Sequence, residues 1–264
     1  MKALYKLSAT SLKSKLDNFE ISSVDIIKAL LARTKEIGQL ANGYALVFEE
    51  EALAKAKKCD EERKAGKLRG LLHGLPISIK DTIDKIGTAS TLGVKNRASL
   101  IAKENAVMVD LLEQEGAIIM GKTNIPQALL SGMECNNPLY GQTRNPWKLT
   151  HGPGGSSGGE GAVIASGESV FGLGTDLGGS IRFPASFCGI VGFKPTTFNW
   201  SGRGITSALV GQEVIKAQVG PMARSVDDII LLMQALDSPK HHAIDPTTPP
   251  VPLGDLSSVT VKGM

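Results

Sequence analysis

The sequence predicts an α/β fold built on a parallel or mixed sheet flanked by helices. Three observations predict it. Helical and strand periodicities alternate along the chain. The strand candidates are short and apolar on successive residues, as strands covered on both faces are. Finally, 13 of the 30 glycines fall between Gly152 and Gly192, a density that points to tight turns or close backbone approach.

The elements follow in order. Ser23 is placed to cap a helix whose Val24, Ile27, Leu30, Leu31, Thr34 and Ile37 recur at helical spacing, ending before Gly38. Phe48 to Ala65 reads as a second, more polar helix stopped by Gly66. Leu75–Ile79 is a β-branched run bounded by Gly74, predicting a strand that ends at Lys80-Asp81. Asn105 to Glu115 reads as a helix, and Ala117–Met120 as the strand after it. Helix then strand recurs at Gly159–Ser166 and Ser169–Leu173. Ser225 starts a helix through Leu236, and the proline-rich segment Ser238–Leu253 reads as extended. No linker or repeat divides the chain. It reads as one domain, with N-terminal helices over 1–70, a core over 71–236 and a tail over 237–264.

Composition narrows the function classes. The chain has 264 residues, is 42% hydrophobic and carries a net charge of +3 from 29 basic and 26 acidic residues. That balance gives no nucleic-acid footprint. No apolar run is long enough for an integral membrane span. Cys59, Cys135 and Cys188 are too scattered for a disulfide scaffold or a paired-cysteine zinc site. With four histidines, they predict no metal centre and a reducing, cytoplasmic setting.

The chemistry is concentrated in Gly152–Arg182. A phosphate-cradling loop is excluded by Glu160, which stands where Lys and Ser or Thr would be needed. Gly154-Gly155-Ser156-Ser157-Gly158 matches the G-x-S-x-G pattern of a nucleophile elbow, with Asp176 and His241 or His242 as partners. The residues before Ser156 read as loop, however, and an elbow needs a strand there. A third reading joins two serines and a lysine. Ser156 lies in one glycine turn and Ser180 in another, Leu177-Gly178-Gly179-Ser180, whose N–H groups can converge on an oxyanion. Lys80, at the end of an apolar strand, can act as a base if burial keeps it neutral. Taken singly, each residue has a plainer role: Lys80 as a surface charge, Ser180 as a helix cap, Cys188 as packing, and His241-His242 as surface residues.

Together, these motifs carry a resemblance. The run GGSSGGEGAVIASGESVFGLGTDLGGSIRFPASFCGIVGFKPT resembles the signature region of the amidase signature family. GLPISIKD at Gly74–Asp81 is similar to that family's catalytic-lysine motif, and GKTNIPQ at Gly121–Gln127 to its next block. CNNPLYGQTRNPW, Glu160, GPMARSVDD and DPTTPPVPL resemble the fatty acid amide hydrolase branch in particular.

The resemblance implies the amidase signature fold and a cofactor-free, metal-free hydrolysis of small-molecule carboxylic or fatty acyl amides. It implies Ser180 as nucleophile, Ser156 as bridging serine and Lys80 as base, with a cis bond at Gly155–Ser156. Leu177, Gly178, Gly179 and Ser180 would hold the oxyanion by their backbone N–H groups, and the backbone of Leu129 would line the acyl site. Ser157 and Thr175 would support Lys80; Asp176 and Arg182 would orient the nucleophile turn.

Family members are longer than this chain, so the fold is expected to be incomplete at its C-terminus, near Val259–Met264. The site would then need a homodimer or a complementing C-terminal polypeptide. Two alternatives stay open: a non-catalytic fragment of a split or decayed gene, and a transamidation component that draws its ammonia from glutamine.

Overall fold

The computed structural model describes residues 3–208, 211 and 215–259. The last five residues of the expected C-terminal edge, 260–264, lie outside the described part.

One mixed sheet organises the chain. Its strands are β1 (Tyr44–Val47), β2 (Pro76–Lys80), β3 (Ile118–Thr123), β6 (Phe171–Asp176), β7 (Val191–Gly192) and β8 (Gln218–Ala223), in the spatial order β1-β3-β2-β6-β8-β7. β2 runs parallel to both β3 and β6, while β1, β7 and β8 pair antiparallel. A separate hairpin joins β4 (Cys135–Asn137) to β5 (Gly141–Thr143). Every residue of β2, β3, β6 and β8 is buried, which explains their largely apolar character.

The helices are α1 (Ala9–Asp17), α2 (Ser23–Ala41), α3 (Glu49–Lys64), α4 (Val107–Gln114), α5 (Gly158–Ser166), α6 (Arg182–Cys188), α7 (Val226–Ala235) and α8 (Ser238–Ile244). The core joins Leu12, Ile27 and Leu30 of the N-terminal helices to Ile77 and Ile79 of β2, Ile119 of β3 and Phe171 and Leu173 of β6. α5 is buried on almost every side, so its N-terminus delivers the residues before it to the centre of the sheet. Among the described residues, no helix is long and apolar enough to cross a membrane.

Several expectations change. The cap of α2 is Ser22, not Ser23: its hydroxyl accepts from the Asp25 N–H while the Asp25 carboxylate accepts from the Ser22 N–H. α2 also runs through Gly38 to Ala41 and ends at Asn42 in the left-handed conformation. The segment 1–70 is not wholly helical, because β1 forms between α2 and α3 and covers the edge of β3. The segment expected to be extended opens with α8, since Asp237 caps it and Pro239 sits in its first turn, where a missing N–H costs nothing.

His241 differs as well. Expected at the surface, it is fully buried in α8 and stacks on Trp200 with ring centroids 5.7 Å apart.

Candidate active site

Lys80 is the last residue of β2, and its side chain has no exposure. It ends a parallel strand beside the C-terminal end of β6, the place where open α/β sheets gather functional groups. Its Nζ lies 2.7 Å from Ser156 Oγ, 2.9 Å from Thr175 Oγ1 and 3.4 Å from the Thr175 carbonyl. Burial pushes this amine down to about 7, against the opposing pull of Cys135, Asp176, Glu160 and Asp81. An amine so placed can exist uncharged near neutral pH and accept a proton from Ser156.

Ser156 precedes α5 and is 2% exposed. The Gly155–Ser156 peptide bond is cis, as the resemblance implied. Position 155 admits only glycine, because a Cβ there would overlap the Ser131 carbonyl oxygen and stand 2.7 Å from that of Glu134. The neighbouring Ser157 reaches Lys80 through Thr175, accepting the Thr175 N–H at 3.3 Å and lying 3.3 Å from the Thr175 carbonyl.

Ser180 lies in the turn from β6 to α6, half-buried, and its carbonyl accepts the Ser157 N–H at 3.0 Å. That bond ties the Ser156 turn to the Ser180 turn. Asp176 organises the second turn. Its carboxylate accepts the N–H groups of Gly179 at 2.7 Å and Ile181 at 3.0 Å, and it pairs with the Arg182 guanidinium at 2.9 and 3.0 Å. Burial raises the Asp176 carboxyl, but Arg182 and the two N–H donors outweigh it and hold the group at about 2. The Gly179 N–H, expected with those of Leu177, Gly178 and Ser180 to hold an oxyanion, here donates to the Asp176 carboxylate. Ser180 is not a helix cap: the cap position of α6 is Ile181.

A family model described as Amidase matches residues 25–262. The chain belongs to the amidase family. It is 38% identical over 252 residues to fatty-acid amide hydrolase 1 of Sus scrofa, covering 96% of this chain and 42% of that protein. It is 39% identical over 233 residues to a glutamyl-tRNA(Gln) amidotransferase polypeptide of Carboxydothermus hydrogenoformans, covering 88% and 47%. Among solved structures, a fatty acid amide hydrolase matches with a TM-score of 0.92 and 38% identity, over 96% of this chain and 45% of that one. The chain spans about half the length of the relatives it matches.

The elbow reading does not fit this amidase-family chain. The residues leading to Ser156 form no strand. His241 accepts the Ser201 N–H on Nδ1 at 3.3 Å and donates from Nε2 to the Leu236 carbonyl at 3.1 Å, so both ring nitrogens are used within its own neighbourhood. Leu129 sits at the end of a short 3-10 turn, Gln127–Leu129, with φ of +62°. The loop that follows it, through Ser131–Glu134, packs on Gly155. One set of metal-type side chains does converge: Cys59, Glu62 and His73 each bring a ligand atom within 4.8 Å of the others. Arg69 answers two of them, its guanidinium forking onto Glu62 and its backbone N–H reaching His73 Nδ1 at 3.4 Å.

Sequence reasoning missed a polar layer on the same face of β2 as Lys80. Ser78, two residues earlier, contacts Glu160 at 2.6 Å and Ser169 at 3.0 Å, and Thr123 donates to Glu160 at 3.0 Å. The signal was the alternation Ser78-Ile79-Lys80, two polar residues sharing one face of a strand otherwise apolar.

Proposed function

We propose that this chain carries the catalytic centre of an amide hydrolase acting through an acyl-enzyme on Ser180. The observation that supports it most is the fully buried Lys80, with its amine 2.7 Å from Ser156 Oγ and an ordinary lysine value brought down to about 7. In its neutral form Lys80 takes the Ser156 proton. Ser156 in turn takes the Ser180 proton as Ser180 Oγ attacks the amide carbonyl. N–H groups of Leu177, Gly178 and Ser180 receive the negative charge that develops on the carbonyl oxygen. The relay then reverses. Lys80 returns its proton through Ser156 to the amine leaving group, and water hydrolyses the Ser180 ester. Thr175 keeps Lys80 aimed at Ser156, and Asp176 with Arg182 holds the Ser180 turn.

The substrate class in this reading is a carboxylic or fatty acyl amide. Apolar side chains exposed at the nucleophile turn, Leu177 and Phe183, suit an acyl group. The relatives are about twice as long, and in this reading a polypeptide resembling their unmatched half, joined to this chain or separate from it, completes the acyl wall. The test is amide hydrolysis by the 264-residue chain, alone and with such a polypeptide, using oleamide and a short aliphatic amide. Turnover that Lys80→Ala abolishes supports the proposal. Turnover that survives Lys80→Ala and Ser180→Ala contradicts it.

A further inference from the structure

Lys80 and Asp81 are neighbours in the chain that serve opposite faces of the sheet. Lys80 reaches Ser156 on one face. Strand alternation sends Asp81 to the other, the face of Ile79 and of its register partner in β3, Lys122. Asp81 and Lys122 are both fully buried, and the relay described above uses neither.

The two charges hold one short segment, Ala89–Leu92. Lys122 Nζ donates to the Ala89 carbonyl at 2.9 Å and to Ser90 Oγ at 3.1 Å. The Asp81 carboxylate accepts the N–H groups of Thr91 and Leu92, each at 3.0 Å, and the Thr91 hydroxyl at 3.1 Å. The cation takes acceptors of the segment and the anion takes donors, and such charge-assisted bonds are stronger than neutral ones. Leu92 is thereby held at a φ of +51°, in the left-handed region that a leucine seldom occupies.

The hold passes to a second loop. The Leu92 carbonyl accepts the Ala128 N–H at 2.8 Å. Ala128 and Leu129 are left-handed as well, with φ of +51° and +62°. Residues with a Cβ stay in that region where their surroundings over-determine them, and the bond from Leu92 is part of those surroundings. Further along the loop, the Gly132 carbonyl accepts the N–H of Gly155, the residue before Ser156, at 2.8 Å. A Cβ at Gly132 would stand 3.0 Å from the Phe183 ring, and one at Gly179 would stand 2.5 Å from the same ring. Loop 127–134 and the Ser180 turn therefore meet on Phe183.

We infer that Asp81 and Lys122 are positioning residues that hold loop 127–134 as a wall of the acyl site, and that they set how strongly the site favours a long acyl chain. They act through backbone bonds and touch no reacting atom. A wall fixed before substrate arrives removes the ordering cost that an extended chain would otherwise meet on binding. A small acyl group makes little contact with the wall and gains little from it. The inference rests on the reading of Ser180 as nucleophile.

The test compares the 264-residue chain with Asp81→Ala and Asp81→Asn. Asparagine keeps an oxygen for the two N–H groups and an amide that donates to the Thr91 hydroxyl; alanine keeps neither. Amide hydrogen exchange should quicken about tenfold or more over 89–93 and 127–132 in Asp81→Ala, with α7 unchanged and Asp81→Asn close to wild type. A rise spread evenly over the chain, or none at 127–132, would overturn the proposal. The second readout is the rate of Ser180 labelling by fluorophosphonates bearing a methyl or a dodecyl chain. Asp81→Ala should slow the dodecyl reagent about tenfold more than the methyl reagent, and Asp81→Asn should restore most of that difference. Equal slowing of the two reagents, or no slowing in a wild type that both label, overturns this inference alone. A folded wild type that neither reagent labels overturns the nucleophile reading and the acyl-wall role together. If Asp81→Ala does not fold, Thr91→Val takes its place, removing only the hydroxyl that donates to Asp81 and accepts the Gly93 N–H. The same two patterns are then expected at about threefold, and their absence overturns the proposal.

Discussion

Lys80 Nζ and Ser156 Oγ stand 2.7 Å apart with neither group open to bulk water. β2 supplies the first and the approach to α5 the second, residues 76 positions apart in the chain. A charged lysine would be costly there, and burial accordingly lowers its proton affinity.

Activity should rise with pH through an apparent value of about 7, because only the deprotonated amine can accept the Ser156 proton. Lys80→Met should lower the rate roughly 100-fold or more. The same substitution should alter stability in a defined window. The lysine is at 10.5 unfolded and about 7 folded, so wild-type stability rises from pH 7 toward 10.5 as the unfolded state loses its extra proton. Lys80→Met should lack that rise, which pH-dependent denaturant unfolding would detect.

Asp176→Asn should loosen the Ser180 turn. It removes the charge that pairs with Arg182 and weakens the acceptor for the Gly179 and Ile181 N–H groups, a loss of roughly 2 kcal/mol. Asp176 is held at about 2 against an ordinary 3.8, so its stabilisation is complete above 3.8 and disappears as pH falls toward 2. Acid unfolding of Asp176→Asn should therefore be less steep than wild type in that range.

His241→Ala should leave labelling of Ser180 intact while destabilising the fold by roughly 2–3 kcal/mol, through the lost stack on Trp200 and the cavity left behind. Burial lowers His241 from 6.5 to about 4, so the native state holds it neutral and wild-type stability falls as pH drops from 6.5 toward 4. Loss of labelling in a folded His241→Ala would return a histidine to the mechanism.

The sheet and its chemistry differed in how far they could be read in advance. Lys80, Ser156 and Ser180 stood out because local motifs surround each one, and burial of β2 was visible in its apolar run. β1 escaped notice because Tyr44–Val47 is only a four-residue strand between two helices, and its stability comes from pairing with β3. α8 was hidden by Pro239, which marks a helix start as readily as an extended chain. His241 is buried by Trp200, and Ser78 meets Ser169 from 91 residues away; neither contact leaves a local trace. The commitment of the Gly179 N–H to Asp176 likewise depends on how the turn folds back, which the run of glycines left open.

The proposed relay from Ser180 through Ser156 to Lys80 is tested most directly by treating the purified 264-residue chain with a serine-directed fluorophosphonate and mapping the adduct by peptide mass spectrometry. Stoichiometric modification of Ser180 is expected in wild type, with none in Ser180→Ala and strongly slowed reaction in Lys80→Ala. A folded wild-type chain that is not modified, or a Ser180→Ala variant modified as fast as wild type, would contradict the account.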